Sequence, residues 1–205
     1  MMIFKNDLVT GDLGHRVAEK ALQDFGLLPS RLVKSAGLEK RYDAIYSDGT
    51  SAEYKTDCLA QATSNICVEF EKKTSERGIY EGSGITTSEA THWCTLFFLS
   101  KNIDTSSIER LNATWDVNDI TAYVNKCDRI SLREFASGPE NFWQAWGGNG
   151  NRAHSYLVKL AKLLPQKFSA TIEVSKDAEY LSELYPQAKQ QILDYLQRQA
   201  EKKRK

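Results

Sequence analysis

The chain has 205 residues, enough for one domain with a sizeable core and room for an appendage. Its 41% hydrophobic and 10% aromatic content is that of a globular protein. Lys+Arg and Asp+Glu both number 27, which weighs against a protein that coats nucleic acid through net charge and leaves open an enzyme with a localised site.

Neither the opening MMIFKND nor any later stretch has the apolar run of a signal peptide or membrane span. Cys58, Cys67, Cys94 and Cys127 stand singly, without the close ligand pairs of a zinc site. A cytoplasmic, reduced protein with no membrane partner is the expectation.

Thr10 or Asp12 is placed to cap a helix reaching about Phe25, with Gly26 ending it. Its apolar stripe, Leu13, Val17, Ala21 and Phe25, leaves His15 and Glu19 off the buried face and one turn apart. A loop with Pro29 and a short strand over 31–35 follow. Residues 42–46 and 51–56 are expected to pair as a hairpin around Ser47-Asp48-Gly49-Thr50, because Asp-Gly supplies a positive-φ position between extended segments. The side-chain period of a strand then puts Glu53 and Lys55 on one face, with Asp43 beside them at the sheet edge. Two carboxylates that close repel unless a cation lies between them, and hard oxygen ligands favour Mg²⁺. Such an ion lowers the pKa of a bound water and stabilises charge on a phosphate, and a lysine on the same face orients the water or neutralises the phosphate. The same spacing also fits an ordinary hairpin with a solvated Glu53–Lys55 pair.

Residues 66–71, apolar on both faces near their start, suggest a strand at the sheet centre. Residues 72–81 have the composition of an exposed loop. Thr87 or Ser88 would cap a short helix leading to Trp93, and 94–99 is a buried strand. A helix followed by a strand implies a crossover and a mixed sheet with helices on its faces. Asp116 is placed to cap a helix to about Cys127, 130–135 fit a strand or turn, and 155–164 fit a strand or helix. The glycine-rich run in 141–151 lacks the GK[ST] ending of a P-loop, leaving a surface loop or a loop contacting DNA through Arg152. Leu181, Leu184, Ala188, Ile192 and Leu196 recur at helical spacing, with Pro186 expected to break or restart the helix before a basic tail.

Asp43, nine residues, then Glu53-Tyr54-Lys55 resembles the signature of the PD-(D/E)XK nuclease superfamily. Upstream, Gly14-His15-Arg16-Val17-Ala18-Glu19-Lys20-Ala21-Leu22 and Gly26 are similar to the family's first helix and its terminating glycine. Val33-Lys34-Ser35-Ala36-Gly37 is similar to the stretch before the first catalytic strand of archaeal-type Holliday-junction resolvases. Residues 64–69 and 83–93 resemble segments of phage- and plasmid-borne members, so the likeness covers roughly residues 10–100.

The resemblance implies a restriction-endonuclease-like α/β fold, a mixed β-sheet flanked by helices, over residues 1–165, with an amphipathic helical extension over 166–205. It implies Mg²⁺-dependent hydrolysis of phosphodiester bonds in DNA, with Mn²⁺ as a substitute. Asp43, Glu53 and the Tyr54 backbone carbonyl would hold the metal, Glu69 would contact it through the outer shell, and Lys55 would act on the water. In much of the superfamily a glutamate directly follows the position of Gly14. Here that residue is His15, so Glu19 replaces the acid, His15 acts on water or phosphate, or neither takes part. Lys34, Arg41, Arg152, Lys202, Lys203 and Arg204 are the candidate phosphate contacts. Likeness to resolvases and the lack of a recognition module point to structure-selective cutting by a homodimer. The alternatives are a non-catalytic DNA-binding or regulatory protein, a sequence-specific homing or restriction enzyme, and an RNA-directed nuclease.

Overall fold

The computed structural model describes residues 2–33, 42–74, 78–141, 143–147 and 153–204. In chain order the elements are α1 (Met2–Asp24), β1 (Arg31–Val33), β2 (Ala44–Tyr46), β3 (Ser51–Asp57), α2 (Ala60–Thr63), β4 (Asn65–Lys73), β5 (Tyr80–Gly82), β6 (His92–Leu99) and α3 (Ile108–Thr114). Then come β7 (Thr121–Asp128), α4 (Arg129–Ser137), β8 (Gln144–Gly147), β9 (Ala153–Lys159), α5 (Leu160–Leu163), β10 (Ser169–Glu173) and α6 (Leu181–Lys203).

The strands make two sheets. One is six-stranded in the order β1-β2-β3-β6-β7-β10. Its β3–β6 pair is parallel and its other pairs are antiparallel, so it is mixed, as expected. The predicted hairpin is present: Ala44 lies opposite Ala52 and Ile45 opposite Ser51, with Gly49 at φ 83° in the turn. The second sheet is antiparallel, in the order β5-β4-β9-β8.

The side-chain period of two explains the layers. On β6, Cys94, Leu96 and Phe98 join one core with Leu13, Val17 and Leu22 of α1 and with Leu181, Leu184 and Ile192 of α6. Trp93 and Phe97 point the other way, into a second core with Ile66 and Val68 of β4, Val158 of β9 and Leu132 of α4. β6 is therefore buried on both faces, which is why its sequence is a continuous apolar run. Each large side chain so buried contributes about 1.5–3 kcal/mol.

Several elements differ from the sequence expectations. Asp116 caps only a turn of 3₁₀ helix over Val117–Asp119, accepting from the Asn118 N–H at 2.9 Å, and the residues that follow form β7. Residues 130–135 lie within α4, whose N-cap Asp128 accepts from the Ser131 N–H at 2.8 Å. β4 is an inner strand, but of the second sheet. The turn ahead of β6 is a 3₁₀ helix at Gly84–Thr86, not a helix starting at Thr87 or Ser88. Within 72–81, Lys73 pairs with Tyr80 in the β4–β5 hairpin. Residues 166–205 contribute β10 to the main sheet and α6 to the main core. Pro186 sits exposed inside an unbroken α6. Among the described residues no helix is long and apolar enough to cross a membrane.

Candidate active site

β3 presents the central residues. Its even positions, Ala52 and Tyr54, belong to the core shared with α1, so Glu53 and Lys55 extend from the opposite face. There Lys55 Nζ lies 2.5 Å from Glu53 Oε1 and 5.4 Å from the centre of the Trp93 ring. Asp43, just before β2, donates its own N–H to the Ala52 carbonyl at 2.8 Å. Its Oδ2 accepts the Tyr54 N–H at 2.7 Å. In extended chain a residue's N–H and C=O point to the same edge, so the Tyr54 carbonyl is directed to the edge where Asp43 stands.

The electrostatics couple these groups. Burial raises the Glu53 carboxyl above its ordinary pKa and Asp43 adds to the rise, while Lys55 and a hydrogen bond from Ser88 oppose it. For Lys55 burial works against the charge, yet Glu53, then Asp43 and Glu69, hold its pKa above the ordinary lysine value. The cation is thus secured, and the carboxylates remain short of positive charge.

At the end of β3, Asp57 ties the two sheets together. It accepts from the N–H groups of Leu59 at 2.9 Å and Cys67 at 2.8 Å, which fixes the start of β4 against the end of β3. β4 then carries Glu69 to the rim of a cleft of about 470 Å³ that also contains Glu53 and Lys55. Ser83 donates to Glu69 Oε1. Gly84 has φ 52°, and a Cβ there would lie 2.4 Å from the Glu69 carbonyl oxygen, so only glycine lets this wall close on β4.

Asp43, Glu53, Lys55 and Glu69 are therefore brought together. His15 and Glu19 are on the α1 side of the sheet and are more buried than the apolar stripe implies, with side chains 20% and 13% exposed. The His15 ring stacks on Tyr54, centroids 4.2 Å apart, and its Nε2 lies 3.7 Å from Glu19 Oε2. Tyr46 donates to Glu19 at 3.1 Å and hydrogen-bonds Tyr54. Burial raises both tyrosine pKa values, so both phenols stay neutral. This array supports β3 from behind.

Lys202 and Lys203 end α6 and Arg204 follows it, all exposed and none lining the cleft. Lys34, Arg41 and Arg152 lie outside the described residues. Sequence reasoning misses Lys72, Glu81, Ser83, Thr87 and Glu89 as cleft residues. The Ser/Gly/Thr composition of residues 83–87 is the available signal, since such turn residues approach other chain segments closely.

Among the described residues no group of three or more His, Cys, Asp and Glu side chains is arranged to hold a metal ion. The donors at hand are the carboxylates of Asp43 and Glu53 and the Tyr54 carbonyl. This all-oxygen set, with Glu53 raised by burial and by Asp43, fits a hard divalent cation. The chain matches no protein-family model, and no curated protein is similar to it.

Proposed function

We propose that this chain is a metal-dependent endonuclease of the PD-(D/E)XK type that hydrolyses phosphodiester bonds in DNA. The observation that supports it best is the placing of Glu53 and Lys55 on one face of β3, beside an Asp43 carboxylate anchored on the Tyr54 amide. Asp43, Glu53 and the Tyr54 carbonyl would hold Mg²⁺ or Mn²⁺. When bound, that ion would acidify a coordinated water and neutralise charge on the scissile phosphate.

The remaining work falls to the chain's own groups. Lys55 keeps its proton, so its ammonium orients the attacking water and stabilises the developing phosphate charge. Trp93 and Glu53 restrict the ammonium to a narrow range of positions, which pre-organises it. The cleft holds four glutamates, Glu53, Glu69, Glu81 and Glu89, against Lys55 and Lys72, so a phosphate entering without a divalent cation would meet net repulsion. A strict cation requirement follows.

Resolving a branched substrate takes two such sites, so the structure-selective form of this reading requires two copies of the chain. The test is cleavage of labelled four-way junction, flap, single strand and linear duplex, in Mg²⁺, Mn²⁺ or EDTA. Cation-dependent cutting is expected, with the junction preferred. Cutting of linear duplex at one defined sequence favours a homing or restriction role. A second reading, a non-catalytic DNA-binding protein, is favoured by the 2.5 Å Glu53–Lys55 contact, which engages both groups with each other. Binding without cleavage in every cation would establish it.

A further inference from the structure

We infer that the aromatic end of the four-stranded sheet is a stacking surface for unpaired bases of a nucleic-acid strand; the choice of partner rests on the nuclease reading above. Trp146 lies opposite His154 in the β8–β9 register, and Tyr156 is two residues along β9 on the same face. The Trp146 and His154 rings are stacked nearly parallel, 13° apart, with centroids 4.1 Å apart. His154 is 4.5 Å from Phe70, and Phe70 is 4.2 Å from Tyr156. Tyr80 of β5 completes the series, 5.5 Å from Trp146.

The rings form a ladder from core to solvent. Phe70 and Tyr156 pack against the core, while Trp146 is 42% and Tyr80 52% exposed. Core filling accounts for the inner rings but not for an indole and a phenol left half in water. His154 Nδ1 is 2.7 Å from Glu71 Oε1, which fixes the imidazole as a backing plate for the indole. Such a fixed, partly exposed π-face matches the flat face of a base, and stacking of this kind tolerates any base.

Two further observations select a nucleic-acid strand. Lys73 stands opposite Tyr80 in the β4–β5 register, which places a cation for backbone phosphate beside the exposed rings. The same hairpin supplies Lys72, Glu81 and Gly82 to the active-site cleft, and its Lys72–Glu81 pair is followed directly by the Lys73–Tyr80 pair. A strand that leaves the cleft reaches the ladder across the width of one hairpin.

The test is anisotropy of a labelled oligothymidylate and of a matched duplex in EDTA, with wild type, Trp146→Ala, Trp146→Phe and Tyr80→Ala. Trp146→Ala is expected to weaken single-strand binding roughly tenfold, Tyr80→Ala to weaken it less, and Trp146→Phe to retain most of it. Duplex cleavage in Mg²⁺ should keep its wild-type rate in all three. Should Trp146→Ala lose its cooperative melt, the exposed Tyr80 decides, and unchanged single-strand affinity in Tyr80→Ala overturns the inference. So does unchanged affinity in a folded Trp146→Ala, or tryptophan quenching by a maltooligosaccharide without quenching by the oligonucleotide. If wild type cuts duplex in Mg²⁺ but does not bind the single strand, this inference fails and the nuclease reading stands; if it neither binds nor cuts any nucleic acid, both fail.

Discussion

On the nuclease reading, burial of Glu53 shapes the pH range in which the site would work. Its folded-state pKa lies above the ordinary 4.5, first because burial disfavours the anion and then because Asp43 repels it. An acid with a raised folded pKa favours the fold when protonated. That contribution is fully present below the unfolded value and is lost as pH rises through the folded value. At neutral pH the ionised Glu53 therefore destabilises the metal-free chain, and a bound divalent cation relieves the penalty. Mg²⁺ should raise the melting temperature at neutral pH and do so less as the pH falls through the raised Glu53 value, where protons compete for the same oxygen atoms. Because proton and cation compete for the Glu53 carboxylate, the acid limb of the cleavage profile should move to lower pH as the Mg²⁺ concentration rises; a limb that does not move with Mg²⁺ would mean that Glu53 is not the buried metal ligand. Asp43→Asn, Glu53→Gln and Lys55→Met should each slow cleavage on the order of 10²–10³-fold or more while the chain still melts cooperatively. Wild-type rates in all three would sink the site assignment. Calorimetric titration should show weakened divalent binding in the two carboxylate variants and a smaller loss in Lys55→Met.

The contact of α1 with β3 decides the sign of a simple substitution. Gly14 is inside α1, where helix propensity alone predicts a gain of about 1 kcal/mol for Gly14→Ala. The added Cβ, however, would lie 1.8 Å from Thr56 Oγ1 and 2.9 Å from Thr56 Cβ, so helix and strand must separate. Overpacking of this kind costs about 1–3 kcal/mol. Gly14→Ala is therefore expected to lower the denaturation midpoint, and a raised midpoint would show that the helix packs less closely than this. The same contact shows what a sequence can and cannot reveal. The β2–β3 hairpin is legible because the Asp-Gly turn and the Glu53/Lys55 alternation are local signals, and β6 because it is apolar on both faces. β7 reads as a helix in the sequence because the capping chemistry of Asp116 is the same for one turn of 3₁₀ helix as for a long α-helix. Its alternation, with Ala122 and Val124 towards the helices and Cys127 towards the other core, is blurred by the polar residues between. β4 is legible as a strand but the second sheet is not, since that sheet depends on Asn65 of β4 lying opposite Lys159 of β9, a pairing no local pattern encodes. The far wall of the cleft comes largely from that sheet; of its residues only Glu69 is reached from the sequence, through the resemblance, while Lys72, Glu81 and Ser83 are not. Helical periodicity sets His15 and Glu19 off the core because it does not anticipate polar partners such as Tyr46 and Tyr54 across the interface.

Across the whole molecule the C-terminal helix divides into a part that holds the fold and a part free to act on a ligand. Leu181, Leu184, Tyr185, Ala188 and Ile192 are buried in the main core, and Leu193 and Leu196 pack against its edge. Pro186 lies on the solvent side, so its missing N–H removes one helical bond without disturbing the buried face, and burial outweighs that loss. Beyond Gln197 the side chains are mostly exposed and include Arg198, Lys202, Lys203 and Arg204, with Glu201 as the one acid. Truncation after Tyr180 removes all of those core side chains and should abolish cooperative unfolding. Truncation after Gln197 keeps them and should shift the melting temperature little. If the tail lies along backbone phosphates, the same short truncation should flatten the slope of log K against log salt on duplex DNA, by about 0.9 for each phosphate no longer neutralised. The cleavage rate at saturating DNA should stay unchanged, since none of these cations lines the cleft. Equilibrium binding over a salt series, with cleavage suppressed by EDTA, separates the two roles. An unchanged slope would show that the tail is a solvated helix end and that the cations serving DNA lie elsewhere on the surface.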